Sequence, residues 1–87
     1  MGSKVMVVFK ILPEEPESID AIEKALHNIK TGKLEDLKKE PLAFGLSTIR
    51  AGITIQDKVD GLMEKLEEEI KNIPGVGQAE VEMITLI

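Results

Sequence analysis

Apolar positions recur along the chain with two different periods. In residues 4–12, Val5, Val7, Phe9 and Ile11 fall on every second position, which predicts a strand with one apolar side. Met6 and Val8 make its other side partly apolar, and Lys4 and Lys10 keep the ends in water. Pro13 and Pro16 in the following Pro-Glu-Glu-Pro-Glu fix φ and stop the strand. Next, Ile19, Ile22, Leu26 and Ile29 recur at helical spacing, with Ala25 on the same side. Ser18 is the expected N-cap, Asp20 and Glu23 sit near the positive helix end, and Gly32 after Thr31 is the expected left-handed stop. Residues 33–39 suit helix or strand by spacing alone. Gly32 and Pro41 argue against a continuing helix, so the reading is a short, irregular edge strand whose Lys and Glu resist pairing with other chains.

After a turn through Pro41 and Gly45, residues 46–57 alternate again. Ile49, Ala51, Ile53 and Ile55 share one side with Ser47, and Leu46, Thr48, Arg50, Gly52 and Thr54 form the wetter side. Arg50 is expected in water or paired across strands with a Glu. Val59, Leu62, Met63, Leu66, Ile70 and Ile73 then mark a second helical stripe, with the run Glu67-Glu68-Glu69 expected on its solvated face. Asn72 to Gly77 turn the chain. In residues 78–87, Ala79, Val81, Met83 and Thr85 alternate with Glu80, Glu82, Ile84 and Leu86, predicting a last strand with both glutamates solvated on its outer side. The order βαββαβ implies an α+β fold: a ferredoxin-like α/β sandwich, with a four-stranded antiparallel sheet carrying both helices on one face.

Length and composition narrow the function. At 87 residues the chain reads as one domain, 1–87, with a core one layer thick. Without cysteine there is no disulfide, thiolate metal site or thiol nucleophile. His27, the single histidine, has no neighbouring partner in sequence and is expected on the surface. No phosphate-cradling glycine motif and no zinc or calcium ligand spacing occurs. A net charge of −5, scattered Lys and Arg, and the absence of Tyr and Trp disfavour direct nucleic-acid binding. No apolar run has the roughly 18 residues of a membrane span, and residues 1–10 have no signal-peptide layout. An enzyme is therefore not expected, and neither is a cofactor or metal. The residues describe a small binding domain, expected to be monomeric and cytoplasmic.

Phe44 is one of only two aromatic residues, and it stands between Pro41 and Gly45 where the chain turns. A ring there is either a plug over the core or a foot for a partner. The stretch Glu40-Pro41-Leu42-Ala43-Phe44-Gly45-Leu46 resembles the E-P-I-A-F-G-L signature of the translation elongation factor 1-beta family. Ile73-Pro74-Gly75-Val76 and the strand to Ile87 are similar to that family's I-x-G-V-x-x-x-x-V ending, and the opening strand with its Pro-rich turn also resembles the family. The similarity covers nearly the whole chain and looks like the short, stand-alone archaeal form.

The resemblance implies a guanine nucleotide exchange factor that promotes replacement of GDP by GTP on the GTPase elongation factor 1-alpha, regenerating the form that carries aminoacyl-tRNA. It implies binding without covalent chemistry, with the GDP-bound and nucleotide-free GTPase as partner. By the same resemblance Phe44 would dock on the GTPase, Pro41 and Gly45 would shape its turn, and Thr85, Leu86 and Ile87 would reach toward the Mg²⁺ and phosphate region. The eukaryotic form has a lysine just before its last residue where this chain has Leu86, which could displace Mg²⁺ only sterically. Other functions remain open on the same fold. A small-molecule regulatory domain of the ACT type would want a glycine after the first strand, and an acylphosphatase an arginine there and an asparagine on the third strand; neither set is present. A generic protein-interaction module is the remaining alternative.

Overall fold

The computed structural model describes residues 4–41, 46–56 and 61–86. The order is β1 (Lys4–Pro13), α1 (Ser18–His27), β2 (Lys33–Pro41), β3 (Ser47–Gln56), α2 (Leu62–Lys71) and β4 (Val76–Leu86). The strands form one sheet in the order β2-β3-β1-β4, and every adjacent pair is antiparallel. This is the expected α+β, ferredoxin-like βαββαβ arrangement. The central strands β1 and β3 are the two with the cleanest apolar alternation, and they supply most of the core. Val7, Phe9 and Ile11 pack with Ile49, Ala51, Ile53 and Ile55 beneath Ile22 and Leu26 of α1, Leu66 and Ile70 of α2, and Ile73 in the turn after α2. Fully burying each large aliphatic side chain contributes about 1.5–3 kcal/mol. Leu34 and Leu37 of β2 and Ala79 of β4 pack only partly, as edge positions do.

Several local signals act differently from expectation. Ser18 is the first helical residue rather than the cap; Glu17 flanks the helix and makes no side-chain capping bond. The helix ends at His27, before Thr31, because the Asn28 side-chain amide donates to the Lys24 carbonyl at 3.0 Å and the Asn28 N–H donates to the Ala25 carbonyl at 3.1 Å. An asparagine that satisfies the last carbonyls competes with another helical turn. Gly32 therefore stops nothing, and among the described residues the positive-φ glycines are Gly61 and Gly75. Gly32 is needed for space: a Cβ there would lie 2.7 Å from the Cγ2 atoms of Ile53 and Ile55 and from the Thr54 carbonyl oxygen. His27 is exposed, as expected.

Glu69 departs from the solvated role read for its acidic run. Its carboxylate accepts the backbone N–H of Lys30 and of Thr31, both at 3.0 Å, and so ties α2 to the α1–β2 connection. Burial pushes its carboxyl pKa up, but the Thr31 side chain and the two backbone N–H groups together outweigh that and hold it below the ordinary 4.5. A carboxyl whose pKa is lowered by folding adds stability above its unfolded pKa and loses it as pH falls through the folded value. Glu69→Gln should therefore destabilise the domain by about 1 kcal/mol near neutral pH. That gap should shrink as pH falls below the ordinary carboxylate value. Urea unfolding at several pH values measures it, and a gap constant with pH would rule the charged cap out.

The last strand contains the largest correction. Ala79 and Val81 lie opposite Ile11 and Phe9, on the helix side. The register then shifts between Val8 and Phe9, leaving Glu82 as an extra residue. Beyond this bulge Met83 pairs with Val8 and Thr85 with Met6 on the open side, while Ile84 pairs with Val7 and Leu86 with Val5 on the helix side. The simple alternation expected for residues 78–87 would have faced Met83 and Thr85 toward the helices instead. The bulge places the more apolar pair, Ile84 and Leu86, beside the buried row of β1.

Candidate partner interface

One face of the sheet is packed by the helices, and among the described residues no element covers the other. Arg50 stands on the open face of β3, between Lys10 of β1 and Lys38 of β2 in register. The Arg50 Nε donates to Glu82 Oε1 at 2.8 Å, and Nη2 donates to Glu82 Oε2 at 3.2 Å. Glu40 Oε1 of β2 is 3.2 Å from the same Nε. Arg50 thus reaches over β1 to the bulge of β4 and also binds β2. The Glu82 hydrogen bonds, then the Glu40 charge, hold its guanidinium pKa above the ordinary value. The cross-strand Glu pairing expected of Arg50 is present, whereas Glu82, expected to be simply solvated, is its partner. On the helix side, Lys39 lies 2.6 Å from Glu23 and 3.6 Å from Asp20, fastening β2 to α1; the Glu23 hydrogen bond leads in raising its pKa. These pairs are exposed, so solvent screens them. They order the surface more than they stabilise it.

The structure separates the two groups of candidate contact residues. Pro41 is exposed at the end of β2 and pairs with Ser47, the first residue of β3. Thr85 and Leu86 are exposed at the end of β4. Leu86 pairs with Val5, whose other neighbour is Ile55 near the end of β3. The ten-residue β3 runs from one group to the other, a span of about 30 Å. Phe44, Gly45 and Ile87 lie outside the described residues. The described candidates therefore form two separate points at opposite ends of one sheet.

Around Leu86 the surface is apolar. Met83 is 58 % exposed, Ile84 56 % and Leu86 67 %, and Val81 is also exposed. These neighbours of Leu86 were not singled out from the sequence, because residues 83–86 read as an ordinary alternating strand. The available signal was the uncharged run Met83-Ile84-Thr85-Leu86 directly after Glu80-Val81-Glu82. A recess of about 350 Å³ opens at the same end of the sheet, with Lys4, Lys33, Thr54 and Gln56 in its lining. It gathers no nucleophile beside a base, and the Thr54 hydroxyl is already bonded to Glu35 at 3.2 Å. Among the described residues, no group of three or more His, Asp or Glu could hold a metal ion. No helix there is long and apolar enough to cross a membrane. The arrangement suits contact with another macromolecule through an edge strand and its end.

Residues 6–87 match the family described as the EF-1 guanine nucleotide exchange domain. Elongation factor 1-beta of Staphylothermus marinus is 38 % identical over 87 residues, covering 94 % of both chains. The protein of that name from Methanocorpusculum labreanum is 37 % identical over 83 residues, covering 93 % of both, and that from Methanosphaerula palustris 34 % over 87 residues, covering 99 % of both. Among solved structures, the C-terminal domain of the MgtC protein from Mycobacterium tuberculosis superposes with a TM-score of 0.54 at 16 % identity, over 92 % of this chain and 85 % of that one. That likeness is one of fold alone.

Proposed function

Since the chain belongs to the EF-1 guanine nucleotide exchange domain family of translation elongation factors, we propose that it promotes release of GDP from the GTPase elongation factor 1-alpha. GTP then takes the vacated site, and the GTPase returns to the form that carries aminoacyl-tRNA. The family match across residues 6–87 is the observation that carries this reading. The exposed apolar end of β4 supports it, because exchange without covalent chemistry needs a surface that binds one state of the GTPase better than another.

The energetics follow from linkage. A factor that prefers the nucleotide-free GTPase weakens GDP binding by the same ratio. A thousandfold weakening takes about 4 kcal/mol of preference, which a few well-buried interface residues can supply. The proposed contacts are Phe44, with Pro41 and Gly45 shaping its turn, and Thr85, Leu86 and Ile87; of these, Pro41 lies at one end of the sheet and Thr85 and Leu86 at the other. With the described members about 30 Å apart, the partner must offer two separate sites, and the sheet acts as a bar of fixed length between them. At the β4 end, Leu86 brings an apolar side chain and no positive charge, so it disturbs a Mg²⁺ site by occupying space or shifting backbone. The soluble cytoplasm is the compartment where this cycle would run.

A mixing experiment tests the proposal. Elongation factor 1-alpha loaded with fluorescent GDP is mixed with excess unlabelled GTP, with and without this chain. Release should accelerate in proportion to added chain and saturate as the complex fills. Release that is unchanged at stoichiometric chain would overturn the proposal.

A further inference from the structure

Three cations stand in one row across the open face: Lys38 of β2, Arg50 of β3 and Lys10 of β1 are partners in register. Like charges directly opposite repel, so an unpartnered arginine between two lysines would swing out into water. Arg50 instead stays along the sheet, because carboxylates hold it from both sides. Its Nε and Nη2 donate to Glu82 at 2.8 and 3.2 Å, and Glu40 Oε1 lies 3.2 Å from the same Nε. Glu40 belongs to one edge strand, β2, and Glu82 to the other, β4, with β3 and β1 between them. One side chain thus joins two strands that are not neighbours in the sheet. A two-bonded guanidinium–carboxylate pair carrying a second carboxylate is the kind of exposed contact whose geometry is fixed.

Both carboxylates sit where the sheet is least held by its own ladder. Glu82 is the extra residue of the bulge, where the pairing of β4 with β1 is interrupted. Glu40 is next to the end of β2, an edge strand with β3 on one side only. Each also adjoins a proposed contact: Pro41 follows Glu40, and Thr85 and Leu86 follow Glu82 within the same strand. We propose that Arg50 is a positioning residue for nucleotide exchange, fixing the bulge of β4 and the end of β2 relative to each other. It acts through Glu40 and Glu82, so that both ends of the sheet meet the GTPase already ordered. Order present before binding does not have to be supplied at the expense of affinity. Lysine cannot take the place, because an ammonium is a point charge without the fork that holds Glu82 by two bonds. The role in exchange rests on the proposed function, whereas the tether between the two edges does not.

Two measurements test the two parts. Amide hydrogen exchange of the chain alone, read by NMR, tests the tether without any GTPase. Glu82→Gln should cost protection in residues 82–86 only, Glu40→Gln in residues 38–40 only, and Arg50→Met in both. Release of labelled GDP over a range of chain concentrations tests the role in exchange. Arg50→Met should raise the half-saturating concentration about fivefold and leave the rate at saturation as in the parent. Arg50→Lys should behave like Arg50→Met, which a role of charge alone would not produce. An Arg50→Met chain whose two ends keep the parent's protection overturns the tether, and if that variant fails to fold, the same result in both glutamine variants does so. An Arg50→Lys chain with the parent's half-saturating concentration overturns the positioning role. A parent chain that releases no GDP overturns the proposed function and Arg50's part in it, whereas protection lost at both ends would still support the tether.

Discussion

Phe44→Ala and Leu86→Asp should each slow stimulated GDP release by about tenfold or more, while the unfolding curve moves little. The size follows from interface energetics: a central aromatic or aliphatic anchor contributes about 2 kcal/mol or more when truncated, and 1.4 kcal/mol is a factor of ten. Leu86 is 67 % exposed, so a carboxylate there meets water in the free domain and loses it only when the partner closes over it. Phe44 is proposed as a contact through its signature Pro-Leu-Ala-Phe-Gly. Stopped-flow release of labelled GDP, paired with thermal melts, separates the outcomes. A Phe44→Ala chain that unfolds would make Phe44 a core residue, and unchanged release by Leu86→Asp would remove the β4 end from the interface.

The largest effect on stability is expected from a position that touches no partner. Gly32→Ala should destabilise the domain by about 1–3 kcal/mol, the range for forcing an extra methyl into a packed region. The added Cβ would be 2.7 Å from two isoleucine methyl groups and from the Thr54 carbonyl oxygen, and the backbone oxygen cannot swing aside as a side chain can. Gly61→Ala offers a contrast. Its Cβ meets nothing within 4 Å, and its cost comes only from φ = +77°, about 1 kcal/mol or slightly more for the left-handed region. Urea denaturation of both variants checks the order. A Gly32→Ala chain as stable as the parent would mean that β2 and β3 can part at little cost.

Much of the architecture was legible because the signals were local. Alternation in residues 4–12 and 47–56, and the helical spacing of Ile22 with Leu26 and of Leu66 with Ile70, each state a period that a short segment can satisfy by itself. The turn chemistry at Pro13, Pro16 and Gly75 punctuates them. The candidate interface was legible only in part. The family signature pointed to the residues around Phe44 and to Leu86, but their separation depends on strand order, which no single segment encodes. The exposure of Met83 and Ile84 is not legible in the sequence, because exposure at an edge is a property of which strand lies beside it.

The elements, their order and hence the sandwich follow from the apolar pattern of the chain, since each apolar face can be buried only against the other layer. The sequence also carried the acidic charge, the absence of cysteine and the elongation factor resemblance. Contacts between residues far apart in the chain were settled by packing. Arg50 of β3 meets Glu82, 32 positions away, and Glu69 of α2 caps N–H groups 39 and 38 positions away. The bulge at Glu82 depends on the register against β1, and it reverses the faces of the four residues that follow. A local period of two cannot foresee one extra residue, because the choice is made by which side chains Val5 and Val7 gain as neighbours.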